Sequence, residues 1–132
     1  MGSSAPGTSP KNLRMTIVIA DDDAHVRKFL ATVLTRAGYD VIEAANGREA
    51  DETIRSRRVD LLVTDLVMPE QEGIETILAL RKSNASLKIV AISGAFEGRY
   101  LEAVASLGAD ATILKPVSPR DLLNTVSAVL AR

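Results

Sequence analysis

From Met15 onward the chain repeats one rhythm five times: a short run rich in Val and Ile, then a longer segment whose apolar residues recur at helical spacing. Few architectures accept that rhythm. The runs are MTIVIA (15–20), DVIEA (40–44), LLVT (61–64), KIVAI (88–92) and ATIL (111–114). Several lack polar alternation, as strands covered on both faces do, and strands separated by helical segments build parallel βα units. Right-handed crossovers then place helices on both sides of the sheet and gather the carboxyl ends of the strands at one edge. The expected fold class is α/β, a doubly wound (βα)5 parallel sheet of five strands. That edge is where function should sit.

The first helical segment puts Val26, Phe29, Leu30, Val33, Leu34 and Ala37 on one stripe, with Asp23 as N-cap and Gly38 as the stop, so it should end at Ala37. The last opens on Ser118, Pro119 and Asp121, which supply a cap, a first-turn proline and an acid at the positive dipole end. Its buried face is expected to be Leu122, Leu123, Val126, Val129 and Leu130. Segment 73–82 carries Ile74, Ile77 and Leu78 after Gly73, and segment 97–107 carries Tyr100, Leu101, Val104 and Leu107 before Gly108. The second helix, about 47–57, offers only Ala50 and Ile54 among many charges. The run RSRRVD at 55–60 reads as a solvated helix end.

A chain of 132 residues fits one ordinary domain. The division expected is a disordered tail at 1–14 and a domain at 15–132. The leader MGSSAPGTSPKNLR has no apolar core segment, so it reads as a tail, native or added by cloning, and not as a secretory signal. With 3% aromatic residues the core must be aliphatic, and a net charge of -1 with no Lys/Arg-rich run argues against nucleic acid binding by this domain. The absence of cysteine excludes disulfides and thiolate metal sites and is compatible with a cytoplasmic protein. No apolar stretch approaches membrane-spanning length.

Four of the five runs end in chemically useful residues: ADDD, TD, ISG and LKP. In open α/β sheets the crevice beyond the strand ends is the ligand site, so Asp21, Asp22, Asp65, Ser93 and Lys115 should converge. Carboxylates brought that close repel by roughly 4 kcal/mol per pair at about 4 Å and an effective dielectric near 20. A cation is needed to relieve this, and an all-oxygen site completed by water suits Mg²⁺ better than zinc. Without that ion, Asp65→Asn or Asp22→Asn should raise stability. A carboxylate can also attack phosphorus to give an acyl phosphate. Lys115 and the cation would then neutralise the phosphoryl oxygens, with the Ser93 hydroxyl donating to one of them.

At these motifs the chain resembles the receiver domains of bacterial two-component response regulators, the family of the chemotaxis receiver. The resemblance runs from about Met15 to the C-terminus through "VIADDD", "VTDLVMPEQEG", "AISGA" and "ILKPV". It implies a flavodoxin-like sheet of order 2-1-3-4-5. It further implies that Asp65 accepts a phosphoryl group from a histidine kinase or histidine phosphotransfer protein. Asp22 and Asp65 would ligate Mg²⁺, Asp21 would act largely through water, and Val67 would offer its backbone carbonyl. Ser93 takes the place of the family's switch hydroxyl and Lys115 that of its lysine, with a cis bond to Pro116. Phosphorylation would switch the conformation to control an effector or an output domain beyond this chain, or a homodimer formed through the 97–107 helix, the fifth strand and the last helix.

Where the family often has an inward-turning aromatic residue, three positions before the lysine, the chain has Thr112; the family's acidic residue before the loop glycine is Glu72, preceding Gly73. Val67 and Ala95 occupy the positions that tune hydrolysis of the phosphate, and being apolar they should make self-dephosphorylation slow. Two other readings compete. A small phosphatase of the haloacid dehalogenase type also uses an Asp nucleophile with Mg²⁺, but its Asp-x-Asp-x-Thr/Val motif would need Thr or Val where His25 stands. An interaction module no longer phosphorylated would not need every one of these residues. The expected protein is a signalling relay and not a turnover enzyme. His25 is assigned no role.

Overall fold

The structure, a computed structural model, describes residues 15–66, 72–94 and 108–132. Five strands, β1 (Thr16–Ala20), β2 (Asp40–Ala44), β3 (Leu61–Asp65), β4 (Lys88–Ser93) and β5 (Ala111–Leu114), form one parallel sheet in the order β2-β1-β3-β4-β5. The described helices are α1 (Ala24–Arg36), α2 (Gly47–Ser56), α3 (Glu72–Ser83) and α4 (Pro119–Leu130). The expected helix at 97–107, with Tyr100, Leu101, Val104 and Leu107, lies outside the described residues, as do the leader 1–14, Val67 and Ala95. No helix among the described residues is long and apolar enough to cross a membrane.

Strand position explains the hydropathy of each run. β1 and β3, central in the sheet, are buried at every residue, whereas the edge strands β2 and β5 are mostly half-buried. Alternate residues feed two cores. Ile17, Ile19, Leu61, Val63, Val90, Ile92 and Ile113 pack beneath α1 and α4 with Leu30, Leu34, Leu122, Val126 and Val129. Val18, Leu62, Ile89 and Ala91 pack beneath α2 and α3 with Ala50, Ile54, Ile77 and Leu80.

The helix ends follow from local chemistry. The Asp23 carboxylate caps α1 by accepting from the N–H groups of His25 and Val26, and Ala37 is the C-cap, with Gly38 at φ +103° in the left-handed region that stops the helix. Ser118 caps α4 through the Asp121 N–H, with Pro119 in the first turn. α2 needs little apolar surface because its ends are well satisfied: Asn46 accepts from the Glu49 N–H at 2.9 Å while Glu49 reaches back to the Ala45 N–H at 2.9 Å.

Three expectations change in detail. Phe29 is 42% exposed and Leu78 44% exposed, because the buried rows centre on Leu30 and Leu34 in α1 and on Ile77 and Leu80 in α3, which turns these two neighbours toward the rim. Asp60, counted among the solvated charges, instead accepts the Thr16 N–H at 2.8 Å and closes the open end of β1. Arg81 binds the carbonyls of Ala85, Leu87 and Gly108 and the Asp110 carboxylate, which itself accepts the Ile89 N–H at 2.8 Å. That network fastens the end of α3 to the turns leading into β4 and β5.

Candidate functional site

The sheet order reverses between β1 and β3, and both strands end there in acids. Ala20 is in register with Thr64, so Asp21 and Asp65 emerge side by side. Asp21 continues the alternation of Ile17 and Ile19, Asp65 that of Leu61 and Val63, and Lys115 that of Ile113, so all three extend the rows that pack beneath α1 and α4. Ser93 continues the opposite row, after Ile89 and Ala91. Main-chain bonds prolong the ladder past the strand ends: Asp21 N–H to Ala44 O at 3.2 Å, Leu66 N–H to Ile92 O at 2.9 Å, and Lys115 N–H to Ser93 O at 2.7 Å. The last of these ties the Lys115 backbone to the end of β4. The Lys115–Pro116 bond is cis.

One carboxylate oxygen from each of Asp21, Asp22 and Asp65 lies within 4.8 Å of the other two. Asp21 and Asp65 are buried and Asp22 is exposed, so the cluster opens to solvent on one side. The Lys115 ammonium donates to Asp65 Oδ2 at 2.8 Å. Asp21 Oδ1 accepts the Asp23 N–H at 2.8 Å, which orients the buried acid. Burial pushes the Asp21 carboxyl up from 3.8 to about 6; the Asp23 N–H and Lys115 pull it down, and Asp65 and Asp22 add repulsion that raises it. Burial disfavours the Lys115 charge, but the hydrogen bond and attraction of Asp65, with Asp21 and Asp23 behind it, outweigh burial and hold the ammonium above its ordinary value.

This donor set fits a small hard cation. All three side chains offer oxygen, and among the described residues no His or Cys joins the cluster to favour zinc. At a bond length of about 2.1 Å, ligand oxygens of Mg²⁺ stand roughly 3 Å apart when adjacent and about 4.2 Å when opposite. The acids need only draw together slightly, and the open side leaves room for water. Their shared repulsion is also what a divalent charge relieves.

Of the five residues expected to converge, Asp21, Asp22 and Asp65 form one cluster and Lys115 bonds to Asp65; Ser93, fully buried, ends the neighbouring strand β4 on the opposite row. The Val67 carbonyl falls outside the described residues. Thr112 stands on β5 opposite Ala91 and is half-buried. Sequence reasoning missed Arg27, whose Nη1 donates to the Asp21 carbonyl oxygen at 2.7 Å while Nε pairs with Glu43 Oε1 at 3.1 Å. Its only signal was an arginine off the apolar stripe, one turn into the helix that follows the acids.

The model of the response regulator receiver domain family matches residues 17–127. The chain belongs to the response regulator receiver domain family. It is 37% identical over 119 residues to the phosphate regulon transcriptional regulatory protein PhoB of Pseudomonas aeruginosa, an alignment covering 89% of this chain and 52% of that protein. It is 38% identical over 115 residues to the response regulator receiver protein CpdR of Brucella abortus, covering 86% of this chain and 95% of CpdR. The chain therefore spans about half the length of PhoB and nearly all of CpdR. The crystal structure of a CheY-like receiver domain protein from Methanospirillum hungatei superposes with a TM-score of 0.83 at 31% identity, covering 90% of this chain and 94% of that one. This is the receiver fold of two-component signalling, and membership displaces the dehalogenase-type alternative.

Proposed function

We propose that this receiver accepts a phosphoryl group on Asp65 from a histidine kinase or histidine phosphotransfer protein, in a Mg²⁺-dependent reaction, and that the modified state controls an effector or an output domain. The observation that carries the reading is the junction of three carboxylates within 4.8 Å of one another with an ammonium 2.8 Å from Asp65, at the point where the strand order reverses. Asp21, Asp22 and Asp65 would hold the cation, with the Val67 carbonyl as a further ligand. When bound, Mg²⁺ supplies charge neutralisation for the acids and for the incoming phosphoryl oxygens.

The residues of the chain divide the remaining work. An Asp65 oxygen forms the bond to phosphorus as the bond from phosphorus to the donor's imidazole nitrogen breaks, and the electron pair leaves with the imidazole. Lys115, already bonded to Asp65 and tied by its backbone to β4, offsets the negative charge that gathers on the phosphoryl oxygens. Ser93, at the end of β4, would donate its hydroxyl to one of those oxygens and draw its loop toward the phosphate. The surface that responds would be formed by the 97–107 segment, β5 and α4, where a partner or a second copy would dock. Residues 15–132 would make up the receiver, with 1–14 as a tail outside it, working in the cytoplasm as a relay.

Incubation with acetyl phosphate and Mg²⁺, followed by intact mass measurement, tests the reading. One phosphoryl addition is expected, absent in chelator. Continuous release of phosphate without a labelled protein, or no reaction, would overturn it.

A further inference from the structure

The turn that carries Asp21 and Asp22 is held by three main-chain N–H groups and one side chain. The Asp21 N–H donates to Ala44 O at 3.2 Å, the Arg27 N–H to Asp23 O at 2.9 Å, and the Asp23 N–H to Asp21 Oδ1 at 2.8 Å. The side chain is that of Arg27. Helical side chains lean toward the helix N-terminus, so Arg27 reaches back over the first turn of α1 to the β1–α1 connection. There Nη1 donates to the Asp21 carbonyl at 2.7 Å, while Nε meets Glu43 Oε1 on β2 at 3.1 Å. The Arg27 side chain is only 18% exposed, whereas Lys28, 3.4 Å from the second Glu43 oxygen, is 73% exposed and adds little.

We propose that Arg27, braced by Glu43, is a positioning residue for the divalent cation site; this rests on reading the acid cluster as such a site. The carbonyl it grips belongs to the planar peptide unit joining Asp21 to Asp22. Fixing that oxygen fixes the plane, and with it the directions in which the two acid side chains leave the backbone. Repulsion among the three carboxylates works to turn that plane outward when no cation is present. The guanidinium fork opposes the rotation because it is itself anchored at a second point on the neighbouring strand. A lysine in its place offers one compact charge and no rigid fork.

Charge and position make opposite predictions, which allows a decisive test. As a bare cation near the cluster, Arg27 would repel a metal ion, and its removal would tighten binding. As a positioning group its removal weakens binding. Mn²⁺, an oxygen-preferring probe of the same geometry, is titrated into the whole chain and followed by electron paramagnetic resonance, with Mg²⁺ as competitor. Arg27→Gln is expected to weaken Mn²⁺ binding by about tenfold or more, the range for groups that orient metal ligands. Arg27→Lys, which keeps the charge, should lose most of the same affinity. Glu43→Gln should weaken binding in the parent and add little in the Arg27→Gln background. Circular dichroism checks folding; if Arg27→Gln does not fold, Arg27→Lys alone decides. Unchanged or tighter binding in the folded Arg27 variants overturns the positioning role while leaving the cation site standing. A parent chain that binds no Mn²⁺, or an Asp22→Asn variant that binds it undiminished, overturns the cation site and this inference with it.

Discussion

Replacing Asp21 by Asn removes a charge that the fold holds at a cost. Asp21 is buried and its carboxyl is raised from 3.8 to about 6, mainly by burial. Between those two values the folded chain retains a proton that the unfolded chain has released. Stability therefore falls as pH rises through that window, and the loss is complete above about pH 6. At 1.36 kcal/mol per unit the loss amounts to roughly 3 kcal/mol at most, and about 2 kcal/mol once relaxation and water on the open side of the cluster are allowed for. Asn cannot ionise, yet its amide oxygen can still accept the Asp23 N–H. Urea unfolding in chelator at about pH 4.5 and 7.5 is the assay, because the linear extrapolation gives the stability of each chain at each pH. The variant's advantage over the parent should grow by about 1–2 kcal/mol from the lower to the higher pH, since part of the loss has already occurred by about pH 4.5 and other carboxylates titrate alike in both chains. Parallel pH dependence of the two chains would refute the reasoning. The earlier expectation for Asp65→Asn and Asp22→Asn weakens for a structural reason: Asp65 is the partner of Lys115, so its loss removes an attraction along with a repulsion, and Asp22 is exposed, where water screens it.

Four further outcomes follow from the same geometry. Lys115→Met should lower stability by about 1–2 kcal/mol near neutral pH, a breakage of a buried pair discounted because the lysine side chain is 34% exposed; the parent's advantage should be lost as pH rises past the ordinary lysine value of 10.5, and equal urea midpoints at pH 7 would contradict this. Gly108→Ala should cost more than Gly38→Ala, with the latter near 1 kcal/mol, because both sit at positive φ but only at Gly108 would a new Cβ stand 3.1 Å from Arg81 Cγ; equal thermal midpoints would count against it. Arg81→Ala should cost about 2–3 kcal/mol by stranding the carbonyls of Gly108 and Leu87, and a loss below half of that, measured by urea, would mean water replaces the guanidinium. Saturating Mg²⁺ should stabilise the parent by about 2.7 kcal/mol at a hundredfold excess over its dissociation constant but should leave Asp65→Ala nearly unmoved, which differential scanning calorimetry can read.

How much of this was legible in the sequence depended on where the relevant force was local. The strands could be read because burial on both faces writes itself into unbroken runs such as LLVT and KIVAI, and the caps at Asp23 and Ser118 because they act within three residues. The cluster could be read because a parallel sheet brings all strand ends to one edge, whatever lies between them. Arg27, Asp60 and Arg81 could not. The Asp60 carboxylate bonds to a main-chain group 44 positions distant and Arg81 to one 27 positions distant, while Arg27 ties the Asp21 carbonyl to Glu43, 16 positions distant, and nothing in composition or spacing marks an exposed-looking charge as such a partner. Phe29 and Leu78 were misjudged because hydropathy gives the stripe but not its centre line, which packing against the sheet sets on Leu30 and Leu34 and on Ile77 and Leu80.

The site on which everything turns is Asp65, and the most direct measurement maps the label. The chain is treated with acetyl phosphate in Mg²⁺, reduced with borohydride to convert an acyl phosphate to a stable alcohol, and digested for peptide mass spectrometry. Conversion confined to Asp65, abolished in chelator and in Asp65→Ala, is the expected result. Label on another residue, or equal labelling of the Asp65→Ala variant, would contradict it.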